Sequence, residues 1–256
     1  MIHPSAIVDS GAHIEPEVIV GPYAVIEDDC CIGSMSEIKA HAVICRYTTL
    51  GMNCKVFSGA VIGSIPQDLK FNKEVTKTQI GDGSIIREYV TINRGTSAKG
   101  TTQIGRETMI MAYTHVAHDC IVGDHVILSN AVNMAGHVKI EDHVVIGGMV
   151  PIHQFVRIGS HAMVGGGFRV TQDVPPFSLA AGEPLRFCGL NTLGLKRLGF
   201  SQSRIHDIDG AYRVIYRSGK LRKEALEVLK ADMSGHSDVA AIITFFESSK
   251  RGVISK

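Results

Sequence analysis

Aliphatic residues recur at every sixth position over the first two thirds of the chain. Between Ile2 and Val170, 26 of the 29 positions in this series are Val, Ile, Leu or Met, and the exceptions are Asp68, Glu74 and Ala98. A period of six fits neither an α-helix nor a simple alternating strand. It is typical of a parallel β-solenoid, in which short strands and tight turns wind into a coil with the aliphatic side chains stacked inside.

A second column lies four residues after each aliphatic position and is mostly small or β-branched, as at Ala6, Ala24 and Cys30. Such residues let the chain turn without overfilling the interior. Three hexads then make one rung of 18 residues with a triangular cross-section. Two polar segments, residues 64–79 and 94–103, interrupt the series. We expect them to be loops that leave the solenoid and carry binding residues.

The repeat stops at "TQDVPPFSLAAGEP", where two consecutive prolines are expected to end regular pairing. The following pattern is helical, with amphipathic helices predicted in "FSQSRIHDIDGAYRVIYRSG", "KLRKEALEVLKAD" and "SDVAAIITFFESSKRG". Ser201 is the predicted N-cap of the first. The sequence thus predicts an all-β solenoid over residues 1–186 and an α-helical domain over residues 187–256 that also covers the open end of the solenoid.

Composition excludes several classes of protein. The chain has 256 residues, 45% hydrophobic and 20% charged, with a net charge of +1. No global field favours nucleic acid or an anionic membrane. No run of about 18 apolar residues predicts a transmembrane segment. The segment "MIHPSAIVDSGAHIEP" lacks the features of a signal peptide, so we expect a cytoplasmic location. The six cysteines have no C-x-x-C spacing, which favours reduced thiols.

Four histidines converge in the predicted coil. Counted modulo 18, His118, His137 and His153 fall at remainders 10, 11 and 9, and His115 lies three residues before His118. They therefore lie in adjacent columns on successive rungs, about 4.8 Å apart. Beside His118 stands Asp119, so a general base with an orienting carboxylate is one interpretation. Three histidines could instead hold a catalytic zinc ion.

Several local motifs resemble one enzyme family. They are "PQDLK" (66–70), "HVAHDC" (115–120), "AGHV" (135–138), "HQF" (153–155), "QDVPP" (172–176) and "GLKRLGF" (194–200). Together, over nearly the whole chain, they resemble the UDP-N-acetylglucosamine 3-O-acyltransferases of lipid A biosynthesis. The resemblance implies a left-handed parallel β-helix and a homotrimer with active sites between neighbouring subunits. It also implies transfer of an (R)-3-hydroxyacyl chain from acyl carrier protein to the 3-position of UDP-N-acetylglucosamine.

The chemistry of acyl transfer assigns roles to three of these residues. A sugar hydroxyl is a weak nucleophile at neutral pH, so a base must take its proton, and His118 matches that position. Asp119 matches the acid that orients the imidazole. Gly136 matches the backbone N–H that stabilises the oxyanion. No metal and no cofactor are expected, because a thioester is already an activated acyl donor.

The resemblance carries further positions over by motif. Those implied to bind substrate are Gln67, Asp68, Lys70, His115, His137, His153, Gln154, Asn191 and Arg197. Gly166, in "VGGGF" (164–168), matches the position that ends the acyl groove, so a long acyl chain is expected. The carrier protein is expected to dock on basic residues of the helical domain, namely Arg204, Arg213, Arg217, Lys220, Arg222 and Lys223.

One departure from the family pattern leaves alternatives open. Leu193 stands where family members carry an acidic residue near the nucleotide. Whether the acceptor is the 3-hydroxy or a 3-amino UDP-sugar is therefore left open. A related hexapeptide N-acyltransferase that acts on an amino sugar is an alternative. A metal-dependent carbonic anhydrase of the same architecture is another, and a scaffolding solenoid without chemistry is a third.

Overall fold

The computed structural model describes residues 1–233 and 235–256, and most of its strands are two residues long. In chain order the first strands are β1 (Ile7–Val8), β2 (His13–Ile14), β3 (Ile19–Val20), β4 (Val25–Ile26), β5 (Cys31–Ile32), β6 (Glu37–Ile38), β7 (Val43–Ile44), β8 (Thr48–Leu50), β9 (Lys55–Val56), β10 (Val61–Ser64), β11 (Lys77–Ile80), β12 (Ile85–Ile86) and β13 (Thr91–Asn93). The strands that follow are β14 (Thr101–Ile104), β15 (Met109–Ile110), β16 (His115–Val116), β17 (Ile121–Val122), β18 (Ile127–Leu128), β19 (Asn133–Met134), β20 (Lys139–Ile140), β21 (Val145–Ile146), β22 (Pro151–Ile152), β23 (Arg157–Ile158), β24 (Met163–Val164), β25 (Ser178–Ala181) and β26 (Arg186–Leu190). The helices are α1 (Thr192–Arg197), α2 (Gln202–Arg217), α3 (Arg222–Asp232) and α4 (Ser237–Ser248).

The strands form three sheets that the chain visits in rotation. The first sheet has the order β1-β4-β7-β10-β13-β16-β19-β22, and the second has the order β2-β5-β8-β11-β14-β17-β20-β23. The third runs from β3 through β6, β9, β12, β15, β18, β21 and β24 to β25 and β26. Pairing is parallel throughout except between β25 and β26. The repeat predicted the parallel strands, and the amphipathic pattern after it predicted the helices that follow them.

The register has the predicted period. Ile7 pairs with Val25 and Val8 with Ile26, an offset of 18 positions. At the polar interruptions Leu50 pairs with Ile80, an offset of 30. The inserted residues therefore leave the sheets, and the strands on either side keep their phase.

The core is made from the two predicted columns. The aliphatic column is buried from Val20 to Val170, and the small column is buried at Ala24, Ala42 and Ala60. Each buried aliphatic side chain contributes about 1.5–3 kcal/mol. Because strands two residues long form few hydrogen bonds each, this stacked interior supplies much of the stability.

Both predicted loops are shorter than the sequence suggested. Strand β11 begins at Lys77 and β14 at Thr101, so the ends of segments 64–79 and 94–103 are strand. The reason is that Thr78 and Thr102 are buried and in register with each other. Threonine is β-branched and suits a strand interior, although it breaks the aliphatic pattern. We call the remaining segments the first excursion (residues 65–76) and the second excursion (residues 94–100).

The prediction that the two prolines end the sheets was wrong. After Pro175 and Pro176, strand β25 pairs in parallel with β24, with Met163 opposite Leu179. The prolines precede this strand and so withdraw no donor from it.

Most turns between sheets place a residue at positive φ, and equivalent turns follow one another by 18 residues, or by 16 between His161 and Phe177. They form the Asp119 column (Asp119, His137, Phe155), the His161 column (His125, His143, His161, Phe177) and the Gly167 column (Ala131, Met149, Gly167). The Asp119 column follows strands of the first sheet, and the Gly167 column precedes them. Asp and His are enriched among the non-glycine residues that adopt this conformation.

The C-terminal helices pack together beyond the third sheet. The Ser201 side chain accepts the N–H of Arg204, as the N-cap prediction required, and α2 buries Ile205, Ile208 and Tyr212. The Phe187 ring of β26 packs against Tyr212 with centroids 4.8 Å apart. None of the helices in the described ranges is both long and apolar enough to cross a membrane.

Candidate active site

The turn after β16 brings His118 and Asp119 together. His118 Nδ1 lies 2.8 Å from Asp119 Oδ2. The Asp119 side chain is completely buried, whereas 15% of the His118 side chain is exposed. A carboxylate accepts only, so Nδ1 carries the hydrogen of the neutral ring. The basic lone pair of His118 is therefore on Nε2, which suits a general base.

Asp119 is held as a carboxylate by donors from the second excursion. The Thr96 N–H donates to Oδ1 at 3.0 Å, and the Thr96 hydroxyl donates to Oδ2 at 2.6 Å. Burial by itself raises the pKa of Asp119, but the hydrogen bonds from Thr96 and His118, with the nearby His137, more than offset it. The pKa therefore lies below its ordinary value, and Asp119 is ionised at neutral pH.

Gly136 lies directly against the imidazole. A Cβ at this position would be 2.7 Å from His118 Cε1 and 2.8 Å from Nε2. Only a residue without a side chain leaves that ring in place. Within the described residues the Gly136 N–H donates to no protein acceptor. These features suit an oxyanion donor, a role that stays a prediction.

Two more histidines surround the pair. His137 Nε2 lies 3.7 Å from Asp119 Oδ2, and its ring stacks on Phe155 with centroids 4.7 Å apart. His115 Nδ1 lies 2.7 Å from Thr91 Oγ1. Burial is the main cause that lowers the pKa of both His115 and His137. Both rings are therefore neutral at neutral pH, which limits positive charge beside the base.

His153 does not join this cluster. It is exposed, and its Nδ1 lies 3.2 Å from the carbonyl oxygen of Gln154, which is also exposed. Across the part of the chain that the structure describes, ring and ion-pair contacts join His118, Asp119 and His137 without His153. The shared columns place the predicted histidines on one surface, but His153 follows β22, two strands beyond the β16 strand that precedes His118, and so lies roughly 10 Å along the coil.

The same cluster offers ligand atoms for a metal ion. Single ligand atoms of His118, Asp119 and His137 lie within 4.8 Å of one another. However, Asp119 Oδ2 already accepts from the Thr96 hydroxyl and from His118. A metal ion on this oxygen would have to displace one of these donors. The geometry therefore fits a hydrogen-bonded catalytic pair better than a catalytic zinc site.

The first excursion carries a charge that acts on His137. Burial is the largest effect on the pKa of that ring and lowers it, and the negative charge of Asp68 has a smaller effect in the opposite direction. Asp68 Oδ1 accepts the N–H of Lys70 at 3.0 Å. The side chains of Gln67 and Lys70 are exposed. They are therefore available to a ligand that binds beside the histidines.

Asn191 and Arg197 lie elsewhere on the chain. Asn191 is the N-cap of α1, where its Oδ1 accepts the N–H of Gly194 at 3.2 Å. Its Nδ2 donates to the carbonyl oxygen of His161 at 3.0 Å. It therefore lies at the His161 column, a different turn column from that of Asp119. Arg197, in the last turn of α1, is exposed. Within the described residues neither forms a hydrogen bond or ion pair with the catalytic pair.

Gly166 lies across the first sheet from the pair. Gly148 and Gly166 lie in turns of the Gly167 column, which lead into the first sheet. His118 and Gly136 lie in turns that follow strands of that sheet. From position 148 to Gln154 the chain advances six residues, at most ~20 Å in extended conformation. A Cβ at Gly166 would lie 3.2 Å from the carbonyl oxygen of Gly148. The predicted base therefore lies where strands of the first sheet end, and the predicted end of the acyl groove lies where strands of that sheet begin.

The sequence analysis did not single out Thr96, Lys99 or Thr102. Lys99 Nζ donates to the carbonyl oxygen of Asp119 at 3.0 Å, and Thr102 Oγ1 accepts the N–H of Asp119 at 2.8 Å. The available signal was the location of Thr96 and Lys99 in the second interruption of the repeat, which predicted binding residues without saying which.

Comparison with known proteins identifies the relatives of this chain. The family model described as "Udp N-acetylglucosamine O-acyltransferase; Domain 2" matches residues 173–254, and the bacterial transferase hexapeptide model matches residues 101–136. The acyl-(acyl-carrier-protein)–UDP-N-acetylglucosamine O-acyltransferase of Thermodesulfovibrio yellowstonii is 46% identical over 98% of both chains. The enzyme of the same name from Syntrophobacter fumaroxidans is 42% identical over 99% of both chains.

Solved structures give the same result. The UDP-N-acetylglucosamine acyltransferase of Francisella novicida superposes with a TM-score of 0.97 at 36% identity, covering 100% of this chain and 94% of that one. The O-acyltransferase of Moraxella catarrhalis gives 0.95 at 40% identity, covering 99% of each chain. Identity at this level over the full length shows common descent as well as a common fold. The chain therefore belongs to the UDP-N-acetylglucosamine O-acyltransferase family.

Proposed function

We propose that this protein transfers an (R)-3-hydroxyacyl chain from acyl carrier protein to the 3-hydroxyl of UDP-N-acetylglucosamine, the first step of lipid A biosynthesis. The observation that carries the proposal is the His118–Asp119 pair, with Nδ1 bonded to a buried carboxylate and Nε2 beside Gly136. Family membership over the full length supports the choice of substrates.

The reaction follows from these positions. His118 Nε2 removes the proton of the sugar 3-hydroxyl as the oxygen attacks the thioester carbonyl. The Gly136 N–H donates to the oxyanion of the tetrahedral intermediate. Collapse of the intermediate forms the ester and breaks the carbon–sulfur bond. The protonated His118 returns its proton to the leaving thiolate, and Asp119 stabilises the imidazolium in the interval.

The substrates are assigned to the surfaces around the pair. Gln67, Asp68 and Lys70 of the first excursion bind the nucleotide sugar, with Lys70 suited to its diphosphate. His115, His137, His153 and Gln154 line the sugar and acyl cleft. The acyl chain extends across the first sheet toward Gly166.

The proposed assembly is a homotrimer of left-handed parallel β-helices. Asn191 lies at the His161 column of its own chain, away from the Asp119 column, and Arg197 ends the helix that Asn191 caps. A neighbouring subunit can present them to the catalytic pair, since the proposed active site lies between two subunits. The enzyme is proposed to act in the cytoplasm. Sedimentation that finds a fully active monomer excludes the shared site.

The experiment that tests the function offers the purified protein a panel of substrates. Acyl-carrier-protein thioesters are combined with UDP-N-acetylglucosamine or with its 3-amino analogue, and the product mass is followed. The expected product is the O-acylated nucleotide sugar. Exclusive acylation of the 3-amino sugar would favour the N-acyltransferase. Carbon dioxide hydration that requires zinc, without acyl transfer, would favour the carbonic anhydrase.

A further inference from the structure

Thr96 of the second excursion contacts the catalytic carboxylate directly. Its N–H and its hydroxyl each donate to one oxygen of Asp119, at 3.0 and 2.6 Å. Thr96 is buried, and so is Asp119. We infer that Thr96 is a positioning residue for acyl transfer, whose hydroxyl sets the orientation of Asp119 and, through Asp119, that of the His118 imidazole. This inference rests on the proposed function.

The contacts of the Thr96 hydroxyl direct its hydrogen to Asp119. Thr96 Oγ1 accepts the N–H of Ala98 at 3.2 Å. With that direction occupied by a donor, the hydroxyl hydrogen is directed to Asp119 Oδ2. The same oxygen accepts from His118 Nδ1 at 2.8 Å. The hydroxyl therefore leaves one lone pair of Oδ2 for the imidazole and fixes where it points.

The backbone of the second excursion is itself anchored around Asp119. The Gly100 N–H donates to the Thr96 carbonyl oxygen at 2.7 Å. Lys99 Nζ donates to the Asp119 carbonyl oxygen at 3.0 Å. The Asp119 N–H is held by Thr102 Oγ1. With both backbones fixed, what remains free is rotation of the Asp119 carboxylate, and the Thr96 side chain restrains that rotation.

The second excursion also contacts the first excursion. The Ser97 N–H donates to Glu74 Oε1 at 3.1 Å, and Glu74 Oε2 accepts the N–H of Asn72 at 2.7 Å. Consecutive residues of one short loop therefore contact the proposed nucleotide loop and the catalytic carboxylate. This arrangement gives Thr96 a well-defined position relative to both.

The test compares Thr96→Val, which keeps the side-chain shape and the N–H but removes the hydroxyl, with Thr96→Ser, which keeps the hydroxyl. A hydrogen bond to a charged group contributes about 1.5–3 kcal/mol, so Thr96→Val should lower kcat by roughly 10- to 100-fold. KM for UDP-N-acetylglucosamine should stay near the wild-type value, because Thr96 positions the base and does not bind the sugar. Thr96→Ser should restore most of kcat.

Thr108→Val is the matched control. Thr108 is also buried, and its hydroxyl donates to the carbonyl oxygen of Gly123 at 3.0 Å, away from the catalytic pair. It should lose stability like Thr96→Val and keep its kcat. If Thr96→Val does not fold, Thr96→Ala replaces it with the same expected loss. In an Asp119→Asn variant, adding Thr96→Val should lower kcat little further, because the Thr96 hydroxyl acts through the Asp119 carboxylate.

Three results overturn the inference while wild-type enzyme is active. They are a kcat for Thr96→Val within about twofold of wild type, a rise in KM without a fall in kcat, and an equal fall in kcat for Thr108→Val. A wild-type protein that transfers no acyl group to any nucleotide sugar overturns the proposed function instead.

Discussion

His118 Nδ1 lies 2.8 Å from Oδ2 of Asp119, and the same ring lies against Gly136. A buried carboxylate thus orients the imidazole, and the missing side chain at Gly136 leaves room for it. A structural histidine would not need both restraints. The pair accounts for the motif "HVAHDC" within an otherwise regular repeat.

Replacement of the base is the first prediction. His118→Ala should lower kcat by roughly 10²–10⁴-fold, the usual contribution of a general base. Binding of UDP-N-acetylglucosamine, measured by calorimetry, should change little. His125→Ala is the control, since His125 lies in the His161 column and pairs with Glu107. A near wild-type rate for His118→Ala would rule out this assignment.

Gly136→Ala tests the space beside the ring. Its Cβ would lie 2.7 Å from His118 Cε1, so the imidazole must move. A displacement of about 1 Å costs up to roughly 10²-fold in rate, and we expect a loss of that order in kcat. Gly210→Ala in α2 is the control, because a Cβ there meets nothing within 4 Å. Equal kcat values for the two variants would contradict the prediction.

Gly166→Met tests the length of the acyl groove. A Cβ at Gly166 would lie 3.2 Å from Gly148 O, so the neighbour needs to move by only a few tenths of an ångström and the variant should fold. Its side chain should block long acyl chains, which reach this position, and spare short ones, which do not. Preference, measured as kcat/KM over a series of acyl-carrier-protein thioesters, should shift to donors shorter by several carbons. A uniform fall over the whole series, or no shift, would show that Gly166 does not end the groove.

Two of the basic residues predicted to dock the carrier protein form ion pairs. Arg204 pairs with Asp238 and Arg213 with Asp209, so each already has an acidic partner. The remaining exposed basic residues of the predicted set have no ion-pair partner within the described residues. They are Arg217, Lys220, Arg222 and Lys223.

Charge reversal tests that surface. A variant with Arg217→Glu, Lys220→Glu and Lys223→Glu should raise KM for the acyl-carrier-protein thioester roughly tenfold at low salt and weaken its salt dependence. Transfer from an acyl-pantetheine thioester, which lacks the acidic protein, should be unaffected. If both donors respond alike, the carrier protein docks elsewhere.

The last prediction concerns acid stability. Burial, with smaller effects of His143 and Arg204, lowers the pKa of His161 to about 4. In the unfolded chain the ring takes up its proton near its ordinary pKa of about 6.5. Between these values the unfolded state binds more protons, so the free energy of unfolding falls as pH drops from about 6.5 to about 4. Allowing for partial exposure, the loss due to His161 is on the order of 2 kcal/mol.

His161→Phe should reduce that loss, because phenylalanine does not titrate. The change is tolerable since Phe177 occupies the next turn of the same column with a φ of 61°, and the rings of His161 and Phe177 already stack. Denaturant unfolding at pH 7 and at pH 4.5 measures the difference. An unchanged pH dependence in the variant would contradict this assignment of the titrating group.

The sequence by itself determined the parallel sheets. In a parallel stack each residue pairs with a residue of the same type on the strands above and below it. The offset that pairs Ile7 with Val25 can therefore be read from the repeat in the sequence. The helix that begins after Ser201 was equally readable, because capping is local. Recognition of His118 and Asp119 came from a contiguous motif and needed no fold.

Only the tertiary structure decided how the site is assembled. The bonds from Thr96 to Asp119 join residues 23 positions apart through a loop that has no period to fix its register. His153 shares the predicted surface, but it follows β22, two strands beyond β16, so the common column does not bring it into contact with His118. Asn191 caps α1 at another turn column because helix packing, which the repeat does not encode, decides where the C-terminal residues lie.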